Sequence, residues 1–245
     1  MIIDEIAEEI LLMFDLERIT IIDYGIGPIY TYSIVKYGES VAMGVSYTNR
    51  EEIKHAKYVE ASRFNILELI KSYDILEKTV GVAIINALSQ IMLPNNYLKG
   101  DILDYIDLEK DDKIVMIGYI RPTYQKIAEK GYNIKVIERQ SIGDEVYSDI
   151  FTKRLLESAT VCIITGASLV NDTIDMVLDY SKNCKVRALI GPTAQIHPEP
   201  LFKRGITHIG SIKIVDIEKA KDTILKGGGT RLLIKYSKKY TFKRN

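Results

Sequence analysis

The sequence predicts an α/β protein in two parts: an N-terminal α+β domain over residues 1–95, then a domain over 96–245 built on a mainly parallel sheet. Three observations carry this. The first half sets three strand-like runs ahead of its long helices, an α+β order. Leu93-Pro94-Asn95-Asn96-Tyr97 then breaks the helical pattern. Beyond it, short buried runs alternate with helices, the rhythm of a parallel sheet covered on both faces.

Ile3, Ile6, Ala7, Ile10, Met13 and Phe14 recur at helical spacing, with Asp4, Glu5, Glu8 and Glu9 on the other face, so 3–14 is an amphipathic helix. Strand-like runs follow at 18–24, 29–37 and 41–47. The turns between them, Gly25-Ile26-Gly27-Pro28 and Gly38-Glu39-Ser40, are short enough to force an antiparallel meander. Helices are expected near 64–73 and 78–92. In the second half the order is a short helix (101–106), strand 113–120, helix 123–130, strand 133–138 and helix 145–158. Strand 160–166, a helix to Tyr180 and strand 185–190 form a βαβ unit that stops at Gly191-Pro192. A short helix (199–204), a strand (207–215) and a helix (217–225) complete the alternation. From Lys226 onward there are seven basic residues and no acidic one, with Tyr236, Tyr240 and Phe242 among them. The segment reads as a solvated basic tail, free to lie on the acidic first helix; base stacking by its aromatics is the competing reading.

Composition excludes several classes. Lys plus Arg equals Asp plus Glu at 33 each, so no overall field draws the chain to nucleic acid or an anionic membrane. No apolar run reaches the ~20 residues that span a bilayer, and the acidic start lacks the basic region of a secretory signal. Cys162 and Cys184 have no CxxC partner, which fits a reduced, cytoplasmic setting. A homo-oligomer stays open.

In open α/β sheets, ligands sit at the carboxyl ends of the strands. Five such ends carry small or polar residues: Gly118 with Arg121; Glu138; Gly143-Asp144; Thr165-Gly166 with Ser168, Asn171 and Thr173; and Gly191-Pro192-Thr193. Glu138 follows Gly118 by the spacing that separates a glycine turn from a ribose-binding acid, but the turn has one glycine where a dinucleotide fingerprint has three. A nucleoside, or a smaller anion countered by Arg121, remains open. Asp144 either caps the next helix or faces the crevice. Asn86, an amide inside an apolar helix, either bonds backbone across the domain interface or reaches a ligand there. His55, His197 and His208 show no paired spacing, and no nucleophile elbow, phosphate loop or paired-carboxylate motif is present. Glu138, Asp144 and His197 are the one set that could approach a metal; no protein-only metal site is expected, and no catalytic residue is assigned.

Taken together, several stretches resemble the heavy-metal-chelation family, long known only as a domain of unknown function. They are Gly81-Val-Ala-Ile-Ile-Asn86-Ala87, Val115-Met-Ile-Gly118-Tyr-Ile-Arg-Pro122, Gly143-Asp144, Ile163-Ile-Thr-Gly-Ala-Ser-Leu-Val-Asn-Asp-Thr173, Gly191-Pro-Thr193 and Leu201-Phe-Lys-Arg-Gly205. The resemblance implies a first domain similar to the capping domain of enolase, without enolase chemistry. It implies a Rossmann-like second domain and a site in the cleft between them. The leading expectation is a small anionic or metal-chelating metabolite in that cleft, any metal arriving with its organic ligand. A nucleotide- or S-adenosylmethionine-type enzyme using Glu138, and a noncatalytic assembly protein, are the alternatives.

Overall fold

A computed structural model describes residues 1–55, 57–139 and 146–244. The chain is a mixed α/β structure with a three-stranded antiparallel sheet and a separate eight-stranded, mainly parallel one.

Helix α1 (Ile2–Leu11) opens the chain and buries Ile3, Ile6, Ala7 and Ile10, the face that its spacing predicts. Strands β1 (Ile19–Ile26), β2 (Tyr30–Tyr37) and β3 (Ser40–Tyr47) form the meander, with Tyr37 paired to Ser40 across the tight turn. One face of the meander carries Tyr30, Tyr32, Ile34, Met43 and Val45. The other lies on α3 (Ile75–Ile91), reached through the short α2 (Ile66–Lys71). Asp74 starts α3 by accepting the amides of Leu76 and Glu77 at 3.0 and 3.2 Å. The helix is apolar nearly all round because other elements cover it on every side. Gly44 on β3 makes the approach possible, since a Cβ there would stand 2.1 Å from the Ala83 carbonyl oxygen and 2.2 Å from the Ala87 nitrogen.

The large sheet holds β4 (Leu98–Lys99), β5 (Ile114–Ile117), β6 (Ile134–Ile137), β7 (Val146–Tyr147), β8 (Val161–Thr165), β9 (Val186–Ile190), β10 (His208–Ile214) and β11 (Ser237–Lys243). Its order is β4-β11-β10-β9-β8-β5-β6-β7. The six strands β5 to β10 run parallel in the order 3-2-1-4-5-6, reversing direction of growth beside β5. Helices α4 (Arg121–Glu129), α5 (Thr152–Leu156), α6 (Thr173–Tyr180), α7 (Pro198–Lys203), α8 (Ile217–Leu225) and α9 (Thr230–Leu233) fill the connections. Strand residues alternate between two apolar layers: Ile114, Met116, Val161 and Ile163 on one side, Val115, Ile117, Cys162 and Ile164 on the other. The second layer also contains α1 and α3 residues, so one apolar cluster runs through both halves of the chain. Among the described residues no helix is long and apolar enough to cross a membrane.

Three expectations are corrected. The basic tail is instead β11, an inner strand, antiparallel to both β10 and β4. Tyr240, Thr241 and Phe242 are buried, and a strand threaded between two others must be apolar where it meets the core. The acidic face of α1 is met by Arg204 after α7, whose Nη2 lies 2.7 Å from Glu9 and 3.0 Å from Glu5. The helix expected at 145–158 is the two-residue β7, paired parallel to β6, followed by the short α5; residue 145 lies outside the described residues. The helix at 101–106 is one 3₁₀ turn, Ile102–Asp104.

Gly44→Ala should destabilise the chain by about 2–3 kcal/mol, because the added methyl overlaps helix backbone rather than a side chain able to turn away. Urea denaturation of the variant measures this.

Candidate functional site

Where the meander meets the large sheet, its edge strand is bonded by side chains in place of a neighbouring strand. The Val45 amide donates to Gln195 Oε1 at 2.7 Å, and the Tyr47 amide to Thr193 Oγ1 at 2.9 Å. Asn86 Nδ2 donates to the carbonyl oxygens of Val45 (2.7 Å) and Thr193 (2.9 Å). Gln195 Nε2 continues to the Ile212 carbonyl, and Gln90 Nε2 to the Gln195 carbonyl and the Tyr240 hydroxyl. All of these side chains are buried, where each unmade bond carries a full desolvation penalty. The seam sets the end of β3 against the carboxyl ends of the parallel strands.

Above those strand ends is a cavity of about 900 Å³. Of the sequence candidates, Gly118, Arg121, Glu138, Thr165, Asn171, Thr173, Gly191 and Pro192 line it. Asn86 and Thr193 are in the seam instead. Gly166 packs on the backbone of Thr193 and Ala194, and Ser168 is buried, donating to the Thr165 carbonyl at 2.7 Å. Gly143 and Asp144 lie outside the described residues. Tyr30, Tyr47, Asn49, Glu51, Thr230 and Lys239 also line the cavity and were not anticipated. The one available signal was the polar stretch directly after β3, which reads equally well as a connection.

The turn after β5 is fully bonded. Gly118 has φ +79°, and a Cβ on it would come 2.6 Å from Thr165 Cγ2, so both conformation and space demand glycine. Its amide donates to Ile137, those of Ile120 and Arg121 to Gly118 and Tyr119, and those of Thr123 and Tyr124 to Ile120. The Tyr119 amide donates to Glu138 Oε2 at 3.0 Å, while Glu138 Oε1 takes the Arg139 amide at 2.9 Å. The amides a phosphate loop would offer to a pyrophosphate are therefore spent within the turn.

Charge in the cavity is mostly paired. Lys126 and Lys239 both reach Asp101, at 2.6 and 3.2 Å. Arg139 pairs with Glu52 and, at 3.8 Å, with Asp149. Arg121 alone of the four lining cations has no carboxylate partner among the described residues. Burial opposes the charge of Asp101, but Lys126, the Leu103 amide and Lys239 outweigh it and hold the carboxyl below its ordinary value.

Asp172, between the lining residues Asn171 and Thr173, is the one described residue other than glycine with positive φ, at 59°. Its side chain does not cap α6; it turns to Lys78 of α3, which is 6% exposed. Asn171 Oδ1 takes over the cap, accepting the Thr173 amide at 3.2 Å and hydroxyl at 2.7 Å.

Soft metal donors are elsewhere. Cys162 and Cys184 are buried away from the cavity; burial pushes the Cys184 thiol up to about 11, and its Sγ donates to the Ala159 carbonyl. His197 Nδ1 accepts the Glu199 amide at the start of α7, and both His208 nitrogens are bonded, to Thr207 and Tyr105. Neither histidine lines the cavity, so the Glu138 and His197 pairing considered above is not assembled. Among the described residues no three His, Cys, Asp or Glu side chains are grouped to hold a metal ion, and the donors present do not fit a protein-only heavy-metal site.

Two family models match the chain, over residues 8–89 and 101–243, and both carry the description "Putative heavy-metal chelation". An uncharacterised protein of Methanocaldococcus jannaschii is 39% identical over 260 aligned positions, covering 98% of this chain and 97% of that one. The chain belongs to this heavy-metal-chelation family. A crystal structure of a family protein of unknown function from Pyrococcus horikoshii superposes with a TM-score of 0.89 at 31% identity, over the whole of both chains. Another, from Desulfitobacterium hafniense and also of unknown function, shares the fold at 18% identity and a TM-score of 0.75, covering 99% of this chain and 98% of that one. These neighbours fit a two-domain α/β fold.

The Lys78–Asp172 pair should respond unequally to its two removals. Asp172→Asn leaves a buried ammonium unpaired and should cost about 3 kcal/mol in urea unfolding, whereas Lys78→Met leaves a carboxylate that water can reach and should cost less. Asp101 gives a pH prediction. Its folded-state value lies below the unfolded one, so its contribution is complete above the unfolded value and lost as pH falls through the folded one. Below about pH 4 the urea midpoint of the parent should fall more steeply than that of Asp101→Asn.

Proposed function

We propose that this heavy-metal-chelation family protein binds a small anionic or metal-chelating organic metabolite in the cavity between the meander and the large sheet. The carrying observation is Arg121, a cavity-lining guanidinium without a carboxylate partner among the described residues. A guanidinium fork fits carboxylate or phosphate through two parallel charge-assisted bonds. Gly118, Glu138, Thr165, Asn171, Thr173, Gly191 and Pro192 form the rest of the proposed contact surface, with Asn86, Gly166, Ser168 and Thr193 supporting it from behind. Metal enters this reading as cargo held by the organic ligand, because the mainly apolar lining, with scattered hydroxyl, amide and carboxylate groups and no thiol or imidazole among the described residues, suits an organic chelate better than a bare soft ion.

A second reading rests on Glu138. Its carboxylate ends β6 beside the Gly118 turn, oriented by two backbone amides with lone pairs left over. That is where an adenosyl ribose would be held in a doubly wound sheet, and the spent amides of the turn favour a nucleoside without pyrophosphate. The 3-2-1-4-5-6 order supports a Rossmann-like second domain, and the meander with its helices supports an enolase-like first one; the ranges of the two family models support a division near residue 95. The buried thiols fit a reducing, cytoplasmic setting.

Thermal unfolding in the presence of organic acids, their nickel, cobalt and iron chelates, and adenosyl compounds tests this. A ligand at 100 times its Kd should add about 2.7 kcal/mol of stability. Arg121→Ala should abolish the effect for anions; loss on Glu138→Ala with adenosyl compounds alone would favour the second reading. No response to any of them would leave a noncatalytic assembly protein.

A further inference from the structure

Resting on that reading of the cavity, two properties of its lining narrow the ligand from anions in general to one kind of anion. The first is the supply of positive charge. Four cations line the cavity: Arg121, Lys126, Arg139 and Lys239. Asp101 holds Lys126 and Lys239, and Glu52 holds Arg139. Residues 56, 140–145 and 245, outside the described ones, include no lysine or arginine, so they bring no further cation. A ligand with several negative charges would find one guanidinium, Arg121, and would otherwise have to break ion pairs already made. The turn at Gly118 offers a phosphate no donors either, because its amides are already bonded, that of Tyr119 to Glu138. One carboxylate, matched by the guanidinium fork, suits this supply.

The second property is apolar surface, and it is independent of the charges. Ile117, Ile137, Ile190 and Ile212 bring side chains of four strands of the large sheet to the lining. Tyr119 after β5, Ile150 after β7 and Met176 on α6 line the same cavity while 37%, 78% and 38% exposed. A single exposed apolar side chain means little, but three from separate segments that converge on one cavity mark a surface for a ligand to cover. The volume, about 900 Å³, is that of clefts of roughly 300–1,000 Å³ that enclose drug-sized molecules. A small polyacid at Arg121 would leave these walls wet and gain nothing from their burial.

We propose that the ligand is an amphiphilic monocarboxylic acid, with its carboxylate on Arg121 and an extended apolar chain or ring system against the isoleucines and Met176. Its binding withdraws Tyr119, Ile150 and Met176 from water together with its own apolar body.

Isothermal titration of the full chain with butyrate, octanoate, 2-naphthoate, succinate and citrate tests this. Octanoate, 2-naphthoate or both should bind about thirty-fold more tightly than butyrate, a modest share of the roughly four-fold that each fully buried methylene contributes. Succinate and citrate should bind no more tightly than butyrate. Arg121→Ala should weaken the larger acid by about ten-fold or more. Ile150→Ser, at an exposed position, should shrink the affinity ratio of the larger acid to butyrate. An unchanged ratio in that variant, or butyrate or citrate held through Arg121 as tightly as the larger acids, would sink the amphiphile and leave the anion site standing. Larger acids that bind Arg121→Ala as well as the parent, or no binding by any probe, would overturn both.

Discussion

A β-strand at the rim of a sheet has backbone groups that need partners, and the rest of this molecule depends on how β3 finds them. Here the partners are amide and hydroxyl side chains: Thr193 and Gln195 from the turn after β9, and Asn86 from α3. Such groups, buried and mutually bonded, hold one relative placement of two layers and penalise others, because a slip of one residue strands several donors at once. Apolar contact alone would tolerate sliding. The seam explains why the meander, helix α3 and the parallel strands share an apolar cluster although their sheets are separate.

The cavity inherits its shape from that registration. Tyr47, Asn49 and Glu51 continue from β3, so their position over the strand ends follows from the two amides that Thr193 and Gln195 capture just before them. Elsewhere in the lining, the turn at Gly118 is tied to Glu138 through the Tyr119 amide, which links the ends of β5 and β6. The turn from Asn171 to Thr173 is tied to α3 through Lys78. Each wall is thus braced by a polar contact, an arrangement that keeps a binding surface preorganised.

Much of this was legible in the sequence wherever the signal was local. Apolar runs ending in Thr165-Gly166 or Gly191-Pro192 announce strand ends, and eight of the fourteen candidate residues line the cavity. Asn86 was recognisable as an amide needing partners; which partners depended on residues more than forty and more than one hundred positions away. The C-terminal strand was illegible for a different reason. Its lysines dominate composition, while the buried Tyr240 to Phe242 stretch is too short to show a clear period. Lys239 and Thr230 then escaped notice, because their place at the cavity follows from where that last segment packs.

The inner position of β11 also has a consequence for the order of assembly. The two-residue β4 hydrogen-bonds to β11 in the sheet, and Lys239 meets an Asp101 that lies 138 residues earlier. During vectorial synthesis, β4 and the flank of β10 must wait until β11, the last strand among the described residues, has left the ribosome. Until then β10 presents an unpaired apolar edge, the kind of surface on which nascent chains stick to one another. The basic lysines of the late strand flank its apolar centre and act as gatekeepers against such self-association. Cover for the β10 edge therefore comes from a strand made after every other strand among the described residues.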